Sequence, residues 1–343
     1  MNTQEYKSLK NYLASPKKIV IIPHRNPDGD AIGASLAMQH YLHKKNHQVT
    51  VVSPNELPGF LTWMPAAKNI LKFDKQNRQS KKAINEAELI FLLDFNTLSR
   101  IGDDMEKSLL TYNGDFVMID HHLQPDTIAK YMFSDSSYSA TCEMIYEFIY
   151  NLGDNQLIDK TIATCIYTGI MTDTGNFRFS ATQPRTHKIV AELMEREADN
   201  AYIYNKVFDS NTYQNLQLLG HALSQLHVLP KASTAYFVLS KNELKAFDYQ
   251  KGDTEGIVNY GLSIKGITLA AIFIEDEDQG IVKISFRSKG TFSVNEFARN
   301  HFNGGGHQNA AGARSTDSLE FTVQKFIKLV SKYRKEINES YEI

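Results

Sequence analysis

Cysteine is nearly missing: Cys142 and Cys165 are the two in 343 residues. Both lie in apolar runs with helical spacing, "ATCEMIYEFIY" and "IATCIYTGIM", so two buried thiols are expected rather than a disulfide framework or a thiolate metal site. Charge of one sign is equally scarce. The formal net charge is -2, whereas a protein that grips long nucleic acid without regard to sequence carries a large basic excess, because its affinity comes from neutralising phosphates. Any phosphate site must therefore be local, which favours a small or short anionic ligand over a long polymer. Long hydrophobic runs are missing too. None reaches the roughly 18 residues of a membrane span, and the N-terminal "MNTQEYKSLKNYL" is polar and amphipathic, unlike a signal peptide. A reducing, cytoplasmic setting with no membrane partner is the expectation. Internal repeats and low-complexity tracts are also lacking.

What is present is an ordinary globular composition, 42% hydrophobic and 22% charged, so a folded rather than a disordered chain is the expectation. The length exceeds one typical core and fits two domains. In the first half, short β-branched runs such as "KIVIIP" (18–23), "QVTVVS", "ELIFLLD" and "DFVMID" alternate with helical stretches. That alternation predicts an α/β fold with a mostly parallel sheet flanked by helices. "SYSATCEMIYEFIYNLG" and "DKTIATCIYTGIMTDTG" read as consecutive helices, and residues 185–228 as continuously helical up to Pro230. "TAYFVLS", "GITLAAIFIE" and "GIVKISFRS" then predict a smaller C-terminal α/β domain with some antiparallel pairing. The expected division is a first α/β domain over 1–210, a helical linker over 211–229 and a smaller α/β domain over 230–343.

Acids and histidines recur where apolar elements end. "IIPHRNPDGDAIGAS" crowds His24, Asp28 and Asp30 into the loop between a strand and a helix, the edge at which open α/β sheets bind ligands. Close carboxylates raise one another's pKa unless a cation neutralises them, and oxygen-rich sites with some imidazole suit Mg²⁺ and, more so, Mn²⁺. A helix N-cap with an Asx turn explains "NPDGD" equally well. Asp94 ends "ELIFLLD", where a helix cap is again an alternative. Asp120, His121 and His122 end "DFVMIDHH". Adjacent histidines seldom both serve a core, since each ring needs two partners, and Asp120 can orient one of them. Asp173 follows an apolar helix. Taken together, four element ends supply about the ligands that two cations with one bridging carboxylate require.

These four motifs, in order, resemble those of the DHH phosphoesterase superfamily, and "GGGHQNAAGA" at 304–313 resembles the glycine-rich motif of its C-terminal DHHA1 domain. The resemblance spans nearly the whole chain. It implies that His24 and Asp28 hold one cation, Asp30, His121 and Asp173 the other, and that Asp94 bridges them. Asp120 would support from behind, and His122 would sit at the substrate to stabilise charge or donate a proton. A water or hydroxide between two divalent cations would be the nucleophile. Mn²⁺ is the expected metal, with Mg²⁺ or Co²⁺ as alternatives. In the C-terminal motif, Gly304, Gly305 and Gly306 let a phosphate approach backbone N–H groups, with His307 and Asn309 as side-chain donors. Arg287, beside Ser288 in "ISFRS", can clamp a phosphate with its planar fork. Arg178 and Arg100 are further candidates. A flexible loop is the alternative for the glycine run, and surface ion pairs for the arginines.

One DHH plus one DHHA1 domain resembles the group of nanoRNases and 3'-phosphoadenosine 5'-phosphate phosphatases. The expected substrates are thus short RNA or DNA oligonucleotides, linear dinucleotides or that small nucleotide, hydrolysed by a monomer or a homodimer. Two other readings stay open: a nucleotide-binding regulator of the same fold without turnover, and a manganese pyrophosphatase, whose basic "RKKQ"-like signature is not found.

Overall fold

The computed structural model describes residues 3–250 and 252–340. The chain forms two compact units, Met1–Ser210 and Asn211–Ile343. In the first, the strands are β1 (Lys18–Pro23), β2 (Gln48–Ser53), β3 (Leu71–Lys72), β4 (Leu89–Leu93), β5 (Asp115–Asp120) and β6 (Tyr131–Ser134). The helices are α1 (Thr3–Tyr12), α2 (Gly29–Lys44), α3 (Asn77–Glu86), α4 (Asp103–Leu110), α5 (Thr141–Asn151), α6 (Lys160–Asp173), α7 (Pro184–Glu195) and α8 (Asn200–Val207). Every strand pairing is parallel, in the order β3-β2-β1-β4-β5-β6.

Side chains alternate across this sheet. Ile19, Ile21, Phe91, Val117 and Ile119 face the layer of α1, α2, α5 and α6. Val20, Ile22, Ile90, Leu92 and Met118 face the layer of α3 and α4. Burial on both faces is why these strands read as unbroken apolar runs. Each fully buried aliphatic or aromatic side chain contributes about 1.5–3 kcal/mol by leaving water. The strand order reverses between β1 and β4, the switch point at which such sheets open a crevice. There the register sets Pro23 beside Leu93 and Leu93 beside Ile119. The next residues, His24, Asp94 and Asp120, therefore emerge side by side at one edge.

Helices α2 and α6 meet closely above the sheet. A Cβ on Gly33 would come within 2.6 Å of the Cys165 carbonyl oxygen, and one on Gly169 within 2.8 Å of Asp30 Oδ1. Both cysteines are free and buried. The stretch 185–228 is not one continuous helix. Asp199 caps α8 by accepting from Tyr202 N–H, and each such cap starts a new helix.

The second unit holds α9 (Tyr213–Ser224), β7 (His227–Leu229), β8 (Thr234–Leu239), α10 (Lys241–Ala246), α11 (Ile257–Leu262), β9 (Leu269–Asp276), β10 (Ile281–Ser288), α12 (Val294–Phe302), β11 (Gly305–His307), β12 (Ala310–Ser315), α13 (Leu319–Lys332) and α14 (Arg334–Glu339). Thr212 caps α9 by accepting from Asn215 N–H. The sheet order is β11-β12-β10-β9-β8-β7, with β8–β9 parallel and the other pairs antiparallel. One face packs Phe273 and Phe286 against Phe297, Phe302 and Phe326. The other packs Phe237 and Ile272 against Leu218 and Ala222 of α9. Residues 211–229, read above as a linker, thus carry a helix that packs Leu218 and Ala222 into the second unit.

Candidate metal centre

Asp28 does two things at once. Its Oδ1 caps α2, accepting from the N–H groups of Asp30 and Ala31 at 3.0 Å each, while Oδ2 lies 3.7 Å from His24 Nε2. The cap and the cluster member are one residue, with one oxygen for each. Asn26 stands between them with φ 56°. Its backbone N–H donates to Asn55 Oδ1 (2.7 Å), and Asn55 Nδ2 donates back to Asn26 Oδ1 (3.0 Å), which ties this loop to the segment after β2.

Asp94 follows β4 in the left-handed region, φ 65°, a conformation that costs a non-glycine residue about 1–3 kcal/mol and collects at functional sites. Its two carboxylate oxygens diverge. Oδ2 is 3.5 Å from His24 Nε2, and Oδ1 is 3.5 Å from His121 Nε2. His121 Nε2 also lies 3.4 Å from Asp173 Oδ2 and 3.9 Å from Asp30 Oδ2. Two triads result, His24–Asp28–Asp94 and Asp30–Asp94–His121, with the ligand atoms of each within 4.8 Å of one another. Asp94 belongs to both.

Both histidines are aimed through their far nitrogen. His24 Nδ1 is held by the Arg25 carbonyl at 2.9 Å, and His121 Nδ1 by the Tyr138 carbonyl at 3.1 Å. Each bond fixes the tautomer that presents Nε2 to the acids, as metal-binding histidines require. His122 is held differently. Asp120 takes its ring Nδ1 at 2.7 Å and its backbone N–H at 3.1 Å.

The electrostatics suit a site for divalent cations. Burial, together with the charges of Asp94 and Asp173, pushes Asp30 well above the carboxylate range. Burial also raises Asp173, to about 7, against the pull of His121. Burial disfavours a charged His24 ring, yet Asp28 and Asp94 outweigh it and lift the group to about 10. His121 rises likewise to about 9 under Asp173, Asp94 and Asp30. Protons on buried imidazoles and carboxyls here neutralise an acid cluster, a task that divalent cations perform in oxygen- and nitrogen-lined sites.

The sequence motifs do not reveal the role of α5. Ala140 is its N-cap, so Thr141 and Cys142 open the helix with unpaired N–H groups. They donate to Asp30 Oδ2 at 2.6 Å and Oδ1 at 2.9 Å. Thr141 Oγ1 donates to Asp94 Oδ1 at 2.8 Å. A hydroxyl residue at the head of an apolar helix reads as a cap from sequence, and only the distant Asp30 and Asp94 give it another role.

Of the remaining candidates, Arg178 and Arg100 belong to the first unit and the others to the second. Arg178 is exposed, its guanidinium 5.4 Å from the Phe179 ring centre. Arg100 is exposed, and its carbonyl accepts from Arg25 N–H at 2.8 Å. The glycine run is an ordered hairpin rather than an open loop. Gly305, Gly306 and His307 pair with Gly312, Ala311 and Ala310. A Cβ on Gly304 would collide with the Gly312 carbonyl, whereas one on Gly305 would meet nothing closer than Arg299 Nε at 3.6 Å. Asn309 Nδ2 is spent on Ser288 Oγ and the Gly290 carbonyl, at 2.9 Å each. Arg287 folds back, Nη1 to its neighbour's carbonyl, Phe286 O, at 2.9 Å.

An acid–histidine nest at the carboxyl edge of a parallel sheet is the build of a metal-dependent phosphoesterase, and that is the class of this protein. Residues 18–170 match the DHH family, N-terminal domain, and residues 233–336 the DHHA1 domain. The chain belongs to the DHH family. It is 30% identical over 298 residues to the bifunctional oligoribonuclease and PAP phosphatase NrnA of Thermus thermophilus, covering 86% of this chain and 83% of that one. It is 29% identical over 317 residues to a probable enzyme of the same name from Streptococcus mutans, covering 92% and 95%. The crystal structure of an exopolyphosphatase-related protein from Bacteroides fragilis superposes with a TM-score of 0.93 at 38% identity, covering 98% of both chains. Among the described residues, no helix is long and apolar enough to cross a membrane.

Proposed function

We propose that the chain hydrolyses short oligonucleotides, linear dinucleotides or 3'-phosphoadenosine 5'-phosphate with two divalent cations. The observation that carries this reading is the divergence of Asp94, with Oδ2 toward His24 and Oδ1 toward His121. His24 and Asp28 would hold one cation, Asp30, His121 and Asp173 the other, and Asp94 both. Bound cations would supply charge neutralisation at the phosphoryl oxygens and activation of the attacking water. Asp120 fixes the His122 ring by its Nδ1, and Nε2 would be the nitrogen that gives a hydrogen bond or proton to the phosphate or the leaving oxygen. Mn²⁺ suits the mixed oxygen and imidazole donors, with Mg²⁺ or Co²⁺ as substitutes.

In this reading residues 1–210 carry the chemistry and residues 230–343 recognise substrate. The names of the relatives support the substrate class, and the net charge of -2 suits short substrates over long ones. A cytoplasmic location and a monomeric or homodimeric state are part of the same proposal. The test is a panel of RNAs of graded length, linear dinucleotides and 3'-phosphoadenosine 5'-phosphate, with Mn²⁺ and with EDTA. Mononucleotide or phosphate release that EDTA abolishes supports the reading. A chain that binds these nucleotides tightly yet releases nothing would be a regulator instead.

A further inference from the structure

Within five residues, the start of α5 touches three members of the acid–histidine nest. The Tyr138 carbonyl takes His121 Nδ1, the N–H groups of Thr141 and Cys142 hold the two oxygens of Asp30, and Thr141 Oγ1 holds Asp94 Oδ1. Thr141 is fully buried and bonds two carboxylates at once. A helical threonine usually returns its hydroxyl to the carbonyl one turn back. Thr141 is the first residue of its helix, so that carbonyl lies outside the helix and the hydroxyl can point away from it.

The bond to Asp94 matters because a carboxylate rotates easily. The terminal torsion of aspartate is broad and roughly two-fold, so nothing intrinsic keeps one oxygen toward His24 and the other toward His121. A hydroxyl donor on Oδ1 selects one rotation. It also leaves Oδ1 a second lone pair, and leaves Oδ2 outside the bond. The segment is braced in turn. Buried Glu143 accepts from Ser139 Oγ at 2.6 Å and from Ser139 N–H at 3.3 Å, and Arg185 lies over the Tyr138 ring at 3.6 Å while donating to the Ser137 carbonyl at 2.9 Å.

We propose that Thr141 is a positioning residue for the cation pair: its hydroxyl sets the rotation of Asp94 so that one carboxylate oxygen serves each cation. This rests on the two-cation reading above. Without the hydroxyl, one cation still finds ligands but the bridge is lost.

The experiment compares Thr141→Val, which is isosteric but lacks the hydroxyl, with Thr141→Ser, which keeps it. Mn²⁺ uptake is followed by calorimetric titration and by the spin-coupled electron paramagnetic resonance signal of a manganese pair. In Thr141→Val, one of the two binding events should weaken about 10- to 100-fold, the usual loss when a group behind a ligand is removed. The coupled signal should vanish, and kcat should fall with little change in KM. Thr141→Ser should restore both affinity and signal. Two wild-type affinities in Thr141→Val overturn the proposal, and so does a serine variant as poor as the valine, which would assign the effect to packing. If Thr141→Val does not fold by circular dichroism, Thr141→Ala makes the same comparison. A wild-type protein that takes up no manganese pair sinks the two-cation reading itself, and that result is visible before any variant is made.

Discussion

Asp120 grips His122 twice, by the ring Nδ1 at 2.7 Å and by the backbone N–H at 3.1 Å. Both oxygens of this fully buried carboxylate accept from the one neighbour, which suits Asp120 to orient His122. His122→Ala should therefore cut turnover, by about 100-fold for a lost general acid, while metal content stays near wild type. His121→Ala should lower both, because its Nε2 faces Asp30, Asp94 and Asp173. Metal analysis of the two purified variants separates the roles. A metal-poor His122→Ala protein would reverse them.

Asp94→Ala should abolish turnover and leave the fold intact. One carboxylate faces both histidines, so its loss dismantles both triads. At φ 65° alanine is less favoured than aspartate, so a modest loss of stability is expected, while circular dichroism should still report the native fold. Activity within about tenfold of wild type at normal metal content would end the bridging role.

Acidity should govern metal uptake. In the metal-free protein, burial opposes charge on His24 and His121, but their acid neighbours prevail and hold them protonated up to about 10 and about 9. A cation needs the neutral rings, so binding must release these protons. Affinity for Mn²⁺ should rise steadily from about pH 6 to pH 9, and calorimetry in buffers of different ionisation heat should count the protons. The folding balance runs the opposite way. A raised histidine contributes stability that is full below its unfolded value of 6.5 and is lost as pH climbs through about 10. Asp173, raised from 3.8 to about 7, adds a loss over that interval. The lowered Asp28 and Asp94 act in acid: their contribution is present above 3.8 and lost as pH falls below it. The Tm of the metal-free protein should therefore decline with rising pH above neutrality, while the upward shift on adding Mn²⁺ grows. A metal-free Tm that climbs over this window would contradict the protonated cluster.

Substrate length should depend on the second unit. Cations hydrolyse any phosphoester that reaches them, so selection needs another anchor. Arg287→Ala and His307→Ala should each weaken kcat/KM for a dinucleotide by about 10- to 100-fold, the worth of one charge-assisted contact of about 1.5–3 kcal/mol. Bis-p-nitrophenyl phosphate, too small to be anchored, should be spared. An equal loss on both substrates would show that these residues support the fold.

Much of the first sheet was readable because burial on both faces writes strands as plain apolar runs: "KIVIIP", "QVTVVS" and "DFVMID" coincide with β1, β2 and β5. The acids and histidines were visible for the same reason, since each stands where such a run stops. Other features had no local signal. The four residues of β6 alternate buried and half-buried at a sheet edge, too short a pattern to stand out. The glycine run reads as a loop, because its pairing with β12 depends on packing against Gly312 and Ala311. Thr141 and Asn55 act on residues 47 and 29 positions away, and nothing near them in the chain announces such partners.

The closeness of α2 and α6 turns the floor of the site into a matter of clearance. Gly169 leaves room for both Cys142 and Asp30: a single added methyl would collide with the Cys142 sulfur and press to 2.8 Å on the Asp30 carboxylate. Gly33 performs the same service against the Cys165 carbonyl. Neither glycine has an unusual backbone angle, so neither is there for flexibility. They act as machined gaps, and neither helix can be thickened at these points without displacing what packs there, Cys142 and Asp30 at Gly169 and the Cys165 backbone at Gly33.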